Sequence, residues 1–132
     1  LRSNSKDGKV LPTIIGMGVE VVGNVTSSSD FQIDGSVDGQ VVAKRLVITE
    51  TGHVNGEIIA DVLEVWGRVN GRIKAKTVFI RDGAEVLADI LHGEIEISRE
   101  ARLEGSLSVM QEARDRKRSG SVRTYELLSQ NT

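Results

Sequence analysis

Val54-Asn55-Gly56-Glu57-Ile58 is followed by Val69-Asn70-Gly71-Arg72-Ile73, and this five-residue phrase, aliphatic–x–Gly–x–aliphatic, decides the fold. Toward the N-terminus it recurs as Val37-Asp38-Gly39-Gln40-Val41 and Val21-Val22-Gly23-Asn24-Val25. Toward the C-terminus it recurs as Val86-Leu87-Ala88-Asp89-Ile90, with alanine for glycine, and Leu103-Glu104-Gly105-Ser106-Leu107. The third positions are 23, 39, 56, 71, 88 and 105, at intervals of 16, 17, 15, 17 and 17 residues. A short unit repeating at a nearly fixed period marks a stacked-repeat architecture.

Five of the six units lead into a second alternating pair: Phe31 and Ile33, Leu46 and Ile48, Leu63 and Val65, Val78 and Ile80, Ile95 and Ile97. Between the two strands stands a small residue (Ser27, Ala43, Ala60, Ala75), replaced in the fifth repeat by His92. Period-two alternation means one buried and one wet face. A hairpin architecture would need the chain to reverse at turns such as Asn-Gly. Asn55-Gly56 and Asn70-Gly71 instead lie in the middle of alternating runs, where a reversal would break the pattern.

The expected fold is therefore all-β: a single-stranded parallel β-helix, or solenoid, of about six rungs with three short strands each. Stacked strands at ~4.8 Å make a rod about 29 Å long. Val21, Val37, Val54, Val69, Val86 and Leu103 would form one interior column, and Val25, Val41, Ile58, Ile73, Ile90 and Leu107 a second. Each such side chain contributes ~1.5–3 kcal/mol when fully buried. The length variation falls mostly between the second strand and the next unit, the one corner a solenoid can vary.

Composition agrees. Apolar residues make up 39% of the 132 residues but aromatics only 3%, so the core is aliphatic. Fourteen glycines against one proline, Pro12, suit tight bends between strands that use all their backbone donors. The absence of cysteine excludes disulfides and thiolate metal sites, and fits a cytoplasmic protein. No apolar stretch approaches the ~20 residues of a membrane-spanning helix, and no signal peptide is visible. Because the chain starts at Leu1, we expect a fragment or a processed form.

The domain is expected to span residues 13–110, between flexible tails at 1–12 and 111–132. Each tail carries a net charge of +2, which leaves −6 on the middle of a chain whose total is −2. That balance argues against a nucleic-acid binder, which concentrates basic charge on one folded face. Arg114-Asp115-Arg116-Lys117-Arg118 reads as a solvated run. A β-helix has open strand edges at both ends. Neither tail offers a convincing amphipathic cap; Val10-Leu11 and Tyr125 with Leu127-Leu128 are short. The terminal rungs are as apolar as the central ones, with Val19, Val21 and Val25 at one end and Leu103, Leu107 and Val109 at the other. These six residues are the candidate polymer interface.

The run Thr13-Ile14-Ile15-Gly16-Met17-Gly18-Val19-Glu20-Val21-Val22-Gly23-Asn24-Val25, with Phe31-Gln32-Ile33-Asp34-Gly35-Ser36-Val37-Asp38-Gly39 after it, resembles the opening of the bactofilin domain. The resemblance extends from residue 13 to about 110. It implies a right-handed, triangular β-helix that assembles end to end into nonpolar filaments without nucleotide or other cofactor. It further implies a cytoplasmic scaffold at the inner face of the inner membrane, reached through an N-terminal segment. Such scaffolds recruit cell-wall enzymes and serve cell shape, polar structures or chromosome segregation. Family members often carry a phenylalanine near the C-terminal polymer contact. Here Phe31 and Phe79 both lie outside the last rung, so the resemblance does not assign the residues at that contact.

The main rival is an acyltransferase of hexapeptide repeats. Its coils run close to 18 residues in strict sixes, whereas the mean here is 16.4 residues. Such an enzyme needs a histidine base. His53 follows Gly52 in a bend and His92 fills a small-residue slot in another rung, so neither suits catalysis or zinc. Asp34, Asp38, Glu57, Glu64, Glu94 and Glu104 fall at scattered outward positions. Asn55 and Asn70 read as a structural amide ladder, and Trp66 as corner packing. No catalytic, cofactor or metal site is expected. A monomeric adaptor on the same rod differs only in not stacking.

Overall fold

The structure, a computed structural model, describes residues 13–110. The expected tails at 1–12 and 111–132 lie outside the described residues. Ten strands form one parallel sheet wound as a solenoid: β1 (Thr13–Ile15), β2 (Glu20–Val22), β3 (Val25–Thr26), β4 (Asp30–Ile33), β5 (Ser36–Ile48), β6 (His53–Val65), β7 (Arg68–Ile80), β8 (Glu85–Ile97), β9 (Arg102–Glu104) and β10 (Leu107–Val109). All the pairings are parallel, as in a β-helix of about six turns.

The register reproduces both interior columns. Val21 pairs with Val37, Val37 with Val54, Val54 with Val69, Val69 with Val86, and Val86 with Leu103. The second runs Val25, Val41, Ile58, Ile73, Ile90, Leu107. A third column, Phe31–Leu46–Leu63–Val78–Ile95, and a fourth, Ile33–Ile48–Val65–Ile80–Ile97, complete the lining. Like side chains stack along the axis at the strand spacing, filling the interior with branched aliphatics.

The expected three strands per rung appear as single 13-residue strands in the four central turns, because two of the three corners do not interrupt the ladder. The first corner is glycine in three of these turns, with φ of 147°, 144° and 137° at Gly39, Gly56 and Gly71, and Ala88 in the fourth. Only a residue without Cβ enters that region readily. The second corner skips one residue of the register at Lys44, Asp61, Lys76 and Gly93. The inward Ala43, Ala60 and Ala75 stand just before it, all buried.

The third corner holds most of the length variation, as expected. Its long form is a four-residue turn closed by a backbone hydrogen bond: Val19 N–H to Gly16 O at 3.0 Å, Gly52 to Thr49 at 2.8 Å, Ala84 to Arg81 at 3.1 Å, Ala101 to Ser98 at 3.1 Å. Its short form is Asp34-Gly35 or Trp66-Gly67. Either way, the corner's last carbonyl bonds onward along the axis: Val19 O accepts from Ser36 N–H, Gly35 O from His53, Gly52 O from Arg68, Gly67 O from Glu85 and Ala84 O from Arg102. A lesser variation is the extra residue at Ser27–Ser29, where the Ser27 hydroxyl accepts from Ser29 N–H at 3.2 Å.

The outward surface has its own order. Asp34 is tied into a corner network, accepting from the Thr49 hydroxyl at 2.7 Å and Gln32 Nε2 at 3.0 Å. Asn55 and Asn70 are register partners on the first leg. Trp66 is half-buried at its short corner and donates from Nε1 to Glu64 Oε2 at 2.6 Å. Arg81 bridges that carboxylate (3.6 Å) and Glu96 (3.8 Å), with its guanidinium 4.6 Å from the Phe79 ring centroid.

Candidate functional site

The side chains that matter lie where the stacking stops. At the N-terminal end, β1, β2 and β3 each pair on one side only among the described residues. Val21 and Val25 are the last members of the two interior columns there, half-buried against the core instead of sealed in it. Val19 stands apart from them. It belongs to the corner turn Gly16–Val19 and is 48% exposed. Around it the first turn also exposes Ile14, Met17 and Val22.

At the other end, among the described residues, β9 and β10 pair only backward, onto β8. Leu103 and Leu107 end the same two columns that Val21 and Val25 begin, and both are half-buried. Val109 lies over His92 in the small-residue column. The Glu94–Ile97 portion of β8 has no strand over it among the described residues, so Ile95 and Ile97 also reach the surface. Ile97 is 40% exposed. These two residues belong to the end of the rod, although the expected interface omitted them. The sequence signal was the sixth unit's missing second strand, which leaves the fifth strand pair uncovered.

The two ends differ in charge. Glu20 is the one charged residue in residues 13–26. The C-terminal end is ringed by exposed Glu94, Glu96, Glu100 and Glu104 with Arg99 and Arg102. Arg102 pairs with Glu104 at 3.1 Å. Among the described residues, each end thus combines strands paired on one side only with a row of aliphatic side chains. Chemically, a surface of this kind can accept another strand.

The histidines do not converge. His53 lies on the first leg between Ser36 and Arg68 in the register, and His92 on the second. His92 is only 5% exposed; its Nδ1 is 3.3 Å from Gly93 O and its Nε2 meets no partner among the described residues. Among the described residues, no three His, Asp or Glu side chains gather as a metal site. A groove runs along the glycine corner, lined by Asn24, Asp38, Gln40, Asn55, Glu57 and Arg72 among others. Gln40 donates to Glu57 within it at 3.2 Å. No helix among the described residues is long and apolar enough to cross a membrane.

A family model described as "Bactofilin: Polymer-forming cytoskeletal" matches residues 13–108. The chain is 29% identical over 99 residues to bactofilin BacO of Myxococcus xanthus (strain DK1622), which covers 74% of this chain and 79% of that protein. It is 43% identical over 51 residues to bactofilin BacN of the same organism, covering 38% of this chain and 45% of that protein. No solved structure gives a significant match. With the family model spanning almost all of a solenoid whose end strands pair on one side only among the described residues, the chain belongs to the bactofilin family of polymer-forming cytoskeletal proteins.

Proposed function

We propose that this chain is the subunit of a filament built by end-to-end stacking, and that the filament localises cell-envelope or cell-shape proteins at the inner face of the inner membrane. One observation carries the first half. Among the described residues, the aliphatic columns that begin at Val21 and Val25 and end at Leu103 and Leu107 run out to both ends of the rod, beside strands paired on one side only. A second copy at either end would continue the ladder and bury the exposed column ends, the way open strand edges associate. Membership of a polymer-forming family supports self-association. Strand pairing and apolar stacking need no bound nucleotide, so assembly proceeds without one. The scaffold role, with cell-wall enzymes among its clients, rests on the family resemblance.

The test is negative-stain electron microscopy of the purified chain at physiological salt without nucleotide. Long unbranched filaments are expected. Discrete particles would contradict stacking and favour a monomeric adaptor.

A further inference from the structure

Charge changes sign from one turn of the rod to the next. Residues 49–67 carry four acidic side chains, Glu50, Glu57, Asp61 and Glu64, and no lysine or arginine. Residues 68–81 carry five basic ones, Arg68, Arg72, Lys74, Lys76 and Arg81, and no acidic one. Residues 82–98 carry Asp82, Glu85, Asp89, Glu94 and Glu96, again without lysine or arginine. These turns contain β6, β7 and β8, which pair in that order. A basic belt thus lies between two acidic belts, at the ~4.8 Å spacing of stacked strands. Part of this charge pairs within the chain: Arg68 with Glu85 at 3.6 Å, Lys76 with Asp61 at 3.9 Å, and Arg81 with Glu64 and Glu96.

The leg that follows the glycine corner leaves charge over. Its outward side chains on β7 are Arg72, Lys74 and Lys76, all exposed. Arg72 and Lys74 enter no ion pair among the described residues. Lys74 stands between Ile59 and Leu91 in the register, with no acidic neighbour in its own column. On β8 the matching outward side chains are Asp89, exposed, and Leu91, half-buried. Arg72, Lys74, Asp89, Leu91 and Ser108 line one shallow depression on this face.

The narrowness of the belts selects the partner. Fields of opposite sign one rung apart cancel a short way from the surface, so attraction acts only at contact. A uniformly anionic surface, such as a lipid bilayer, is drawn to one belt and repelled by the next. The same leg of a second copy is banded at the matching pitch. When two rods lie side by side and antiparallel, a two-fold axis can run along the strands, level with the gap between β7 and β8. Arg72 of each copy then lies opposite Asp89 of the other, and the Lys74 stem covers Leu91. Glu57 faces Ser106, so no like charges meet. Parallel copies at one level would instead set like belt against like belt.

We infer that filaments of this chain bind one another side by side through this leg, the basic belt of one on the acidic belt of the next. Each exposed ion pair contributes little, so two free subunits do not hold together. Along two filaments the contact recurs at every subunit, and the weak contacts add up to stable binding. The inference rests on the filament reading, because single rods lack that repetition.

Sedimentation at two speeds tests it, low speed recovering bundles and high speed recovering single filaments as well. Wild type is expected to pellet at low speed in ~0.05 M salt. At ~0.5 M salt, where charges are screened beyond roughly 4 Å, the low-speed fraction should fall several-fold while the high-speed pellet persists. Arg72→Glu and Asp89→Arg each set like charges face to face, so filaments of either alone should reach the pellet only at high speed. Mixing the two kinds of preformed filament restores opposite charges at both contacts, and low-speed pelleting should return. Low-speed pelleting of either variant alone, or a mixture that stays in the supernatant, would overturn the inference. So would wild-type filaments that reach the low-speed pellet only with phosphatidylserine vesicles, which would assign the basic belt to a lipid surface, or that never reach it. If wild type pellets at neither speed, the filament reading falls and this inference with it.

Discussion

The carbonyl oxygen of Gly39 occupies the space a Cβ on Gly56 would need, nearer than 3.0 Å, while Gly56 itself sits at φ 144°. Gly56 stands in the same relation to Gly71. At positions 56 and 71 a side chain is thus opposed twice over: by a backbone conformation side chains avoid, and by the backbone of the preceding turn; in the next turn Ala88 takes this register position without a positive φ.

Gly56→Ala is therefore expected to destabilise the rod by about 1–3 kcal/mol, read as a lower midpoint in denaturant unfolding. Gly16→Ala is the control. Its Cβ would meet nothing within 4 Å and its φ is ordinary, so its midpoint should stay within about 0.5 kcal/mol of wild type.

Val54 is fully enclosed, with Val37 on one side of it in the column and Val69 on the other. Val54→Asp puts an unpartnered carboxyl there, at a cost of several kcal/mol, comparable to the whole stability of a small domain. The expected result is loss of the cooperative thermal transition in circular dichroism. A wild-type melting curve would refute the column register.

Arg81 joins Glu64, Glu96 and the Phe79 ring on the third face. Its side chain is 34% exposed, so solvent screens the ion pairs and most of its value is packing on the ring. Arg81→Ala should cost roughly 1 kcal/mol, and high salt should remove only part of the difference from wild type. Chemical denaturation at two ionic strengths measures both.

The interior columns were legible in the sequence because stacking places like on like, and the register pairs Val37, Val54 and Val69 as their spacing demands. What was hidden depends on backbone, which leaves a fainter trace. The column Gly35, Gly52, Gly67, Ala84 at the third corner is small because the chain passes close to the turn before it. A Cβ on Gly67 would meet Gly52 O, yet no aliphatic pattern announces that. Continuous strands were missed because two corners bend without breaking hydrogen bonds. Val19 was grouped with Val21 and Val25 in the terminal rung, but the turn closed by its N–H to Gly16 O carries it to the corner. His92 was recognised as an intruder among alanines. Its enclosure beneath Val109 is a packing outcome that spacing does not specify.

The central claim is that the ends of the rod are its assembly surfaces, and Leu107 tests it best, being half-buried at the last position of its column. Wild type and Leu107→Glu should be compared by high-speed pelleting across a concentration series, with circular dichroism verifying that both are folded. The account predicts that wild type pellets above a threshold concentration while folded Leu107→Glu stays in the supernatant. Equal pelleting of the two would contradict it.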